Sequence, residues 1–290
     1  MTVLLISLSV LFLALAAVGL LAPNLHARSI RKHQLFDFGD AKYWDARYKM
    51  SGPDWDSKDW LFAFDDVRLL MEELIPRKDG PLLMLGCGNS EMSKEMYDSG
   101  YSSIINIDIS PAVIEKMAAA HPEMNWLVGD VLDMTEILSS SVFSCVDKST
   151  LDAIRCMPVT SPPARSPVSS SFDTAMISPV GNIQAVHRMI SEIHRVLVPG
   201  GRYVCLSLTD VDDLVKIISS NEEMKQGQAV ASFYRVRNMA RDATYSLVVL
   251  DKIASGRESP RHPLTLRNVL PGRCFAVIDG HVRGFVLKKM

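Results

Sequence analysis

The chemistry in this chain is concentrated in three short phrases, each following an apolar run. Leu83 to Ser90 reads LMLGCGNS. After a strand, glycines let backbone approach a ligand closely, and the next helix opens with free N–H groups. A dinucleotide fingerprint would place a third glycine three residues past Gly88, where this chain has Glu91. The turn around Gly86 and Gly88 therefore suits a pyrophosphate poorly and a nucleoside with a short amino-acid tail better. Asp108 ends the next apolar run, twenty residues beyond Gly88, where a carboxylate can accept both ribose hydroxyls. Asp130 lies in the phrase Gly129-Asp130-Val131. There it suits the exocyclic amine of adenine, with Val131 packed on the ring. A lone aspartate at a strand end is ordinarily a turn former or a cap. Three such elements, in order at the ends of successive strands, describe a nucleoside site.

The elements that must position these residues alternate. Asp59–Ile75 has apolar residues at three- and four-residue spacing, an amphipathic helix. Pro81–Leu85, Ser103–Ile109, Met124–Val128 and Phe143–Val146 read as strands. A helix runs through about Ser99, another spans Ile114–Ala120, and a long one spans Ile183–Val196. Pro199-Gly200-Gly201 stops that last helix before a strand at Arg202–Ser207. Val230–Val236 and Thr244–Leu250 add two strands, and Phe275–Leu287 reads as a hairpin about Asp279-Gly280. The expected fold is α/β: a Rossmann-like, doubly wound, mostly parallel seven-stranded sheet.

Composition narrows the functional classes. The formal net charge is −2 and the pI about 6.4, so no basic footprint for nucleic acid is present. Cys87, Cys145, Cys156, Cys205 and Cys274 form no CxxC pair and have no histidines at metal-ligand spacing, so no metal site is expected. Five scattered cysteines fit reduced thiols better than a disulfide framework.

Val3–Ala22 holds twenty residues without a charge, enough at ~1.5 Å rise per residue to span a bilayer's hydrocarbon core. Pro23 and Asn24 end it, and Arg28, Arg31 and Lys32 follow. This predicts one N-terminal transmembrane helix with the catalytic portion facing the cytosol, a single-pass membrane protein. The expected organisation is an anchor over 1–23, a basic juxtamembrane linker over 24–42, a catalytic domain over 43–252 and an extension with the hairpin over 253–290. Within the catalytic domain, 157–180 is a Ser/Pro-rich insertion.

Three phrases carry a family resemblance: GCGNS at Gly86, NIDIS at Asn106 and DKSTLDA at Asp147. With YWDARY at Tyr43–Tyr48, they resemble the class I S-adenosylmethionine-dependent methyltransferases that modify protein lysines, the elongation factor 1-alpha and citrate synthase lysine methyltransferase group. The resemblance runs from about Tyr43 to Lys252. It implies that Trp44, Tyr48 and Trp60 close over the cofactor and that Gly86 meets its amino-acid end. It further implies that Asp108 and Ile109 hold the ribose and Asp130 and Val131 the adenine, while Lys148 lines the same pocket. Ser149 departs from the pattern, since these relatives usually have glycine there, and so does the insertion.

The acceptor chemistry follows from that resemblance. A lysine nucleophile must lose a proton, at a cost of roughly 4–5 kcal/mol at pH 7 from a reference pKa near 10.4. Asp147 is the candidate to orient the amine, with Asp152 the second choice. A protein lysine is the expected substrate. Two other readings stay open: a small-molecule methyltransferase acting at a membrane, which the N-terminal segment motivates, and a catalytically silent module of the same fold.

Overall fold

A computed structural model of the chain describes residues 38–50, 59–158, 181–238, 243–254 and 275–281. The expected anchor at 1–23 and nearly all of the 157–180 insertion lie outside the described residues. Among the described helices, none is long and apolar enough to cross a membrane.

The described residues form one eight-stranded sheet, where seven strands were expected. Its strands are β1 (Leu82–Leu85), β2 (Ile104–Asp108), β3 (Asn125–Val128), β4 (Val142–Lys148), β5 (Leu197–Ser207), β6 (Ala229–Asn238), β7 (Ala243–Lys252) and β8 (Phe275–His281). Their spatial order is β3-β2-β1-β4-β5-β7-β6-β8. Pairings from β3 through β5 are parallel, and β7, β6 and β8 add an antiparallel edge. The central strands are buried on both faces, which is why they read as continuous apolar runs. Leu82 and Met84 enter one core while Leu83 and Leu85 enter the other, the two-residue period of a strand.

Helices cover both faces. On the first face lie α1 (Ala41–Met50), α2 (Phe64–Leu74), α3 (Met92–Asp98) and α4 (Pro111–Ala120). On the second, α5 (Thr150–Arg155), α6 (Ile183–Val196) and α7 (Val211–Ser219) pack, followed by the single turn α8 (Glu222–Lys225). The long helix α6 forms because its apolar residues fall on one stripe: Val186, Met189, Ile190, Ile193 and Val196 are all buried. Asn182 caps it by accepting from Ala185 N–H at 2.9 Å.

Three boundaries differ from the sequence reading. The second helix starts at Phe64, so Asp59 to Ala63 lie outside it. Leu61 takes a left-handed φ of 65°, which breaks the helical path its apolar spacing suggested. Strand β5 begins at Leu197 and carries Pro199-Gly200-Gly201 within it, beside a register shift between Val142 and Ser144. The expected turn at Asp279-Gly280 is extended here, and residues 282–287 of that hairpin lie outside the described residues. Both residues lie inside β8, opposite Arg235 and Tyr234, and the irregularity falls at Ile278, between the pairs Asp279–Arg235 and Val277–Val236. The edge of β6 offers a row of backbone partners that a turn would leave unpaired.

Helix α1 docks by polar contacts as well as apolar ones. The Asp45 carboxylate accepts from Ser110 Oγ at 3.0 Å and Ala112 N–H at 3.2 Å, capping α4 from another element. In return Lys116 Nζ donates to Tyr48 O. Asp45→Ala should lower Tm by a few degrees and loosen α1 before the rest of the domain. Hydrogen exchange checks this, and unchanged protection across residues 41–50 would show that α1 does not depend on the cap.

Candidate active site

The strand order reverses between β1 and β4, and such a switch point opens a crevice at the carboxyl ends of the strands. A cavity of about 410 Å³ lies at this place, within the range usual for small-molecule sites. It is lined from β1 by Gly86 and Gly88, from β2 by Asp108 and Ile109, and from the turn after β3 by Asp130 and Val131. The end of β4 contributes Lys148, Ser149 and, on α5, Asp152. Trp44, Tyr48 and Trp60 form the wall on the N-terminal side. Of the sequence candidates, the fold brings all but Asp147 to this cavity.

The glycine turn is a contact requirement. Gly86 and Gly88 have φ of 57° and 53°, a region that L side chains rarely adopt. A Cβ on Gly86 would sit 2.2 Å from Thr150 Oγ1, and one on Gly88 would sit 2.8 Å from the Tyr48 hydroxyl. Thr150 is held there by its own bond to Leu85 O at 2.8 Å. The β1 turn, the head of α5 and the aromatic wall therefore meet with no room for a side chain.

Asp108 organises the next corner. One carboxylate oxygen accepts from Gly88 N–H and the other from Ser110 N–H, each at 2.9 Å. Burial holds this carboxyl above its ordinary value, against the lowering pull of these amides. The group thus fastens the glycine turn to the end of β2. An ionised carboxylate offers about four acceptor sites, so acceptor capacity is left for a ligand. Gly129 N–H donates to Asp108 O at 2.9 Å, which brings the β3 turn alongside. There Asp130 accepts from Leu132 N–H at 2.9 Å.

The aromatic wall is continuous. The Trp44 and Tyr48 rings stack at 6.0 Å between centroids, and Trp60 meets Trp44 edge-on at 6.3 Å. Trp44 Nε1 donates to Phe38 O at 2.7 Å, and Arg47 lies 5.7 Å over the Trp60 ring.

Where β4 runs into α5 the two aspartates separate. Asp147, the first choice to orient an amine, does not line the cavity. It is fully buried, accepting from Thr150 N–H at 2.7 Å, Leu151 N–H at 3.1 Å and the Tyr203 hydroxyl at 2.8 Å. Its task is to hold the head of α5. Asp152 does line the cavity. It also ties down the loop after β5, accepting from Ser207 Oγ at 2.6 Å, Leu208 N–H at 2.9 Å and Thr209 Oγ1 at 2.7 Å. Ser149 between them is left-handed, with φ 71°, and its buried Oγ has no hydrogen-bond partner among the described residues. Lys148 binds protein groups: Asp59 at 2.7 Å, Phe62 O at 2.9 Å and Ser90 Oγ at 2.9 Å.

Thr150, Asp59 and Ser90 escaped the sequence reading. Thr150 sits inside the quoted DKSTLDA phrase, but nothing local shows that it abuts Gly86. Asp59 and Ser90 meet Lys148 across 89 and 58 residues, a separation that no spacing rule reaches.

This geometry can be set beside known proteins. A model described as a methyltransferase domain matches residues 76–247. The chain belongs to that family, as a class I methyltransferase with S-adenosylmethionine as its cofactor. The chain is 32% identical over 186 residues to the human eEF1A lysine and N-terminal methyltransferase, a match covering 63% of this chain and 23% of that protein. It is 33% identical over 179 residues to mouse EEF1A lysine methyltransferase 4, covering 59% and 62%. The chain thus spans about a quarter of the length of the first of these relatives. Among solved structures, N-methyltransferase NodS from Bradyrhizobium japonicum in complex with S-adenosyl-L-homocysteine aligns with a TM-score of 0.46 at 13% identity. That alignment covers 72% of this chain and 98% of NodS.

Two outcomes test the site. Gly86→Ala should weaken S-adenosylhomocysteine binding at least tenfold by calorimetry, and Thr150→Ala should recover part of that loss; equal affinity for wild type and Gly86→Ala contradicts the close approach. Burial pushes the Asp147 carboxyl up to about 7, with the Tyr203 hydroxyl pulling the other way and Asp152 adding to the rise. The folded protein therefore keeps a proton that the unfolded chain has already released. The stability this group contributes is full below about pH 4 and is lost as pH rises to about 7. Asp147→Asn has no such proton, so the wild-type advantage in Tm should shrink across that window. A pH-independent difference would count against the raised carboxyl.

Proposed function

We propose that this chain transfers a methyl group to the side-chain amine of a protein lysine. The observation that carries the reading is the corner from β4 into α5, DKSTLDA, whose Lys148, Ser149, Thr150 and Asp152 line the cavity. Similarity to proteins named as eEF1A lysine methyltransferases supports it, and makes an elongation factor 1-alpha-like protein the first substrate to try.

The cavity fits the cofactor: Gly86 and Gly88 leave the β1 turn bare, and carboxylates stand at the ends of β2 and β3. Asp108 and Ile109 would hold the ribose, Asp130 and Val131 the adenine, with Trp44, Tyr48 and Trp60 alongside. When bound, S-adenosylmethionine supplies an electrophilic methyl on a positively charged sulfur. An amine meeting that methyl would have to give up one proton, and the chain's own residues would position it.

The protein's contribution is alignment and dehydration. Fixing nucleophile and methyl in line is worth several kcal/mol. Desolvation against the aromatic wall would favour the neutral amine over the ammonium, offsetting part of the ~4–5 kcal/mol of deprotonation. Asp152 is the carboxylate placed to orient that amine, since Asp147 is committed to α5. Carried by the anchor read from Val3–Ala22, the domain would work at a cytosolic membrane face.

The test is methyl-labelled cofactor incubated with the full chain and a cytosolic protein extract, in parallel with a lipid extract. Acid hydrolysis of the protein should yield labelled methyllysine. Asp152→Asn should cut that yield at least tenfold while S-adenosylhomocysteine affinity stays within about threefold. Label confined to lipid would support the small-molecule reading. No transfer at all, with cofactor still bound, would leave a silent module.

A further inference from the structure

Among the described residues Lys148 is the most enclosed of the ion-paired cations, with its side chain only 6% exposed. A cation so far from water must be surrounded by acceptors, and its acceptors come from two separate places. Asp59 and the Phe62 carbonyl belong to the segment leading into α2, whereas Ser90 belongs to the glycine loop. Asp59 also accepts from Ser90 Oγ. The three side chains close a triangle linking the end of β4, the cofactor loop and the approach to α2.

Between the two points gripped on that approach lies Trp60, part of the cavity wall. The backbone there is strained. Leu61 has φ 65°, and Phe62 N–H donates to Trp60 O at 2.7 Å, a γ-turn with a positive φ at its centre. Such a turn is rare for a branched residue and persists only where its surroundings over-determine it. Here the surroundings are Lys148 on one side and the packing of Phe62, fully buried against Tyr245 at 4.5 Å between ring centroids, on the other.

We propose that Asp59 is a positioning residue that, through Lys148 and Ser90, latches the strained Trp60–Phe62 turn against the cavity and thereby sets how long the cofactor stays bound. Asp59 does not itself line the cavity; it acts by holding Trp60. When the latch opens, the γ-turn relaxes and the wall on the side of α2 swings from the ligand. Lys148 is then a structural hub of the pocket wall, which accounts for its bonds to Asp59, Phe62 and Ser90. The proposal concerns the cofactor half of the cavity alone, so a chain that methylated no lysine would leave it standing.

The test uses the full chain and S-adenosylhomocysteine, with Trp44 and Trp60 as built-in fluorescence reporters in stopped flow. Asp59→Asn should speed release at least tenfold and change the association rate less than threefold, leaving the Tm of the ligand-free protein within a few degrees. Lys148→Met should do the same, and the double variant should release no faster than either single one. Asp59→Glu should restore part of the slow release. Should Asp59→Asn fail to fold, Ser90→Ala removes one arm of the triangle and should speed release two- to fivefold. Release within twofold of wild type in the folded variants, or Asp59 and Lys148 effects that multiply independently, would overturn the latch.

Discussion

The rest of the structure depends on the close approach of backbone at the end of β1. Gly86 against Thr150 and Gly88 against Tyr48 leave no space for a Cβ, and both residues sit where only glycine is comfortable. This contact brings together the first strand, the head of α5 and the aromatic wall. Asp108 then ties the same turn to β2 through Gly88. Remove the approach and the carboxyl ends of the strands lose their common floor.

Around that floor the carboxylates divide the labour. Asp108 ends β2 and Asp130 lies in the turn after β3, each already fixed by backbone N–H groups that hold its orientation. Asp147 and Asp152 stand where β4 runs into α5, with different duties. The first is buried under α5 and braced by Tyr203, and the second clamps the loop after β5 while reaching the cavity. Preorganised polar groups of this kind need no reordering when a ligand arrives.

Much of this was legible in the amino-acid order because parallel strands and amphipathic helices write their periods locally. The apolar runs before Gly86, before Asp108 and before Gly129 located three corners of the cavity, and the stripe on α6 located its packing face. What was illegible is non-local. Asp147 and Asp152 lie five residues apart in one phrase, and nothing in that phrase says which faces inward; the Tyr203 hydroxyl, 56 residues on, decides it. The spacing of Leu61 and Phe64 suits a helix, yet Lys148 holds Phe62 in a turn instead. Asp279-Gly280 has the chemistry of a hairpin turn, but the free edge of β6 keeps it extended.

The account requires a ligand site where the ends of β1, β2 and β3 meet the aromatic wall. Amide hydrogen exchange on the full chain, with and without saturating S-adenosylhomocysteine, addresses it most directly. Slowed exchange should appear together at residues 86–90, 108–110, 129–132, 44–48 and 59–62, with the antiparallel edge at β6 and β7 unchanged. Protection confined to other surfaces, or no protection at all despite a folded protein, would contradict the site.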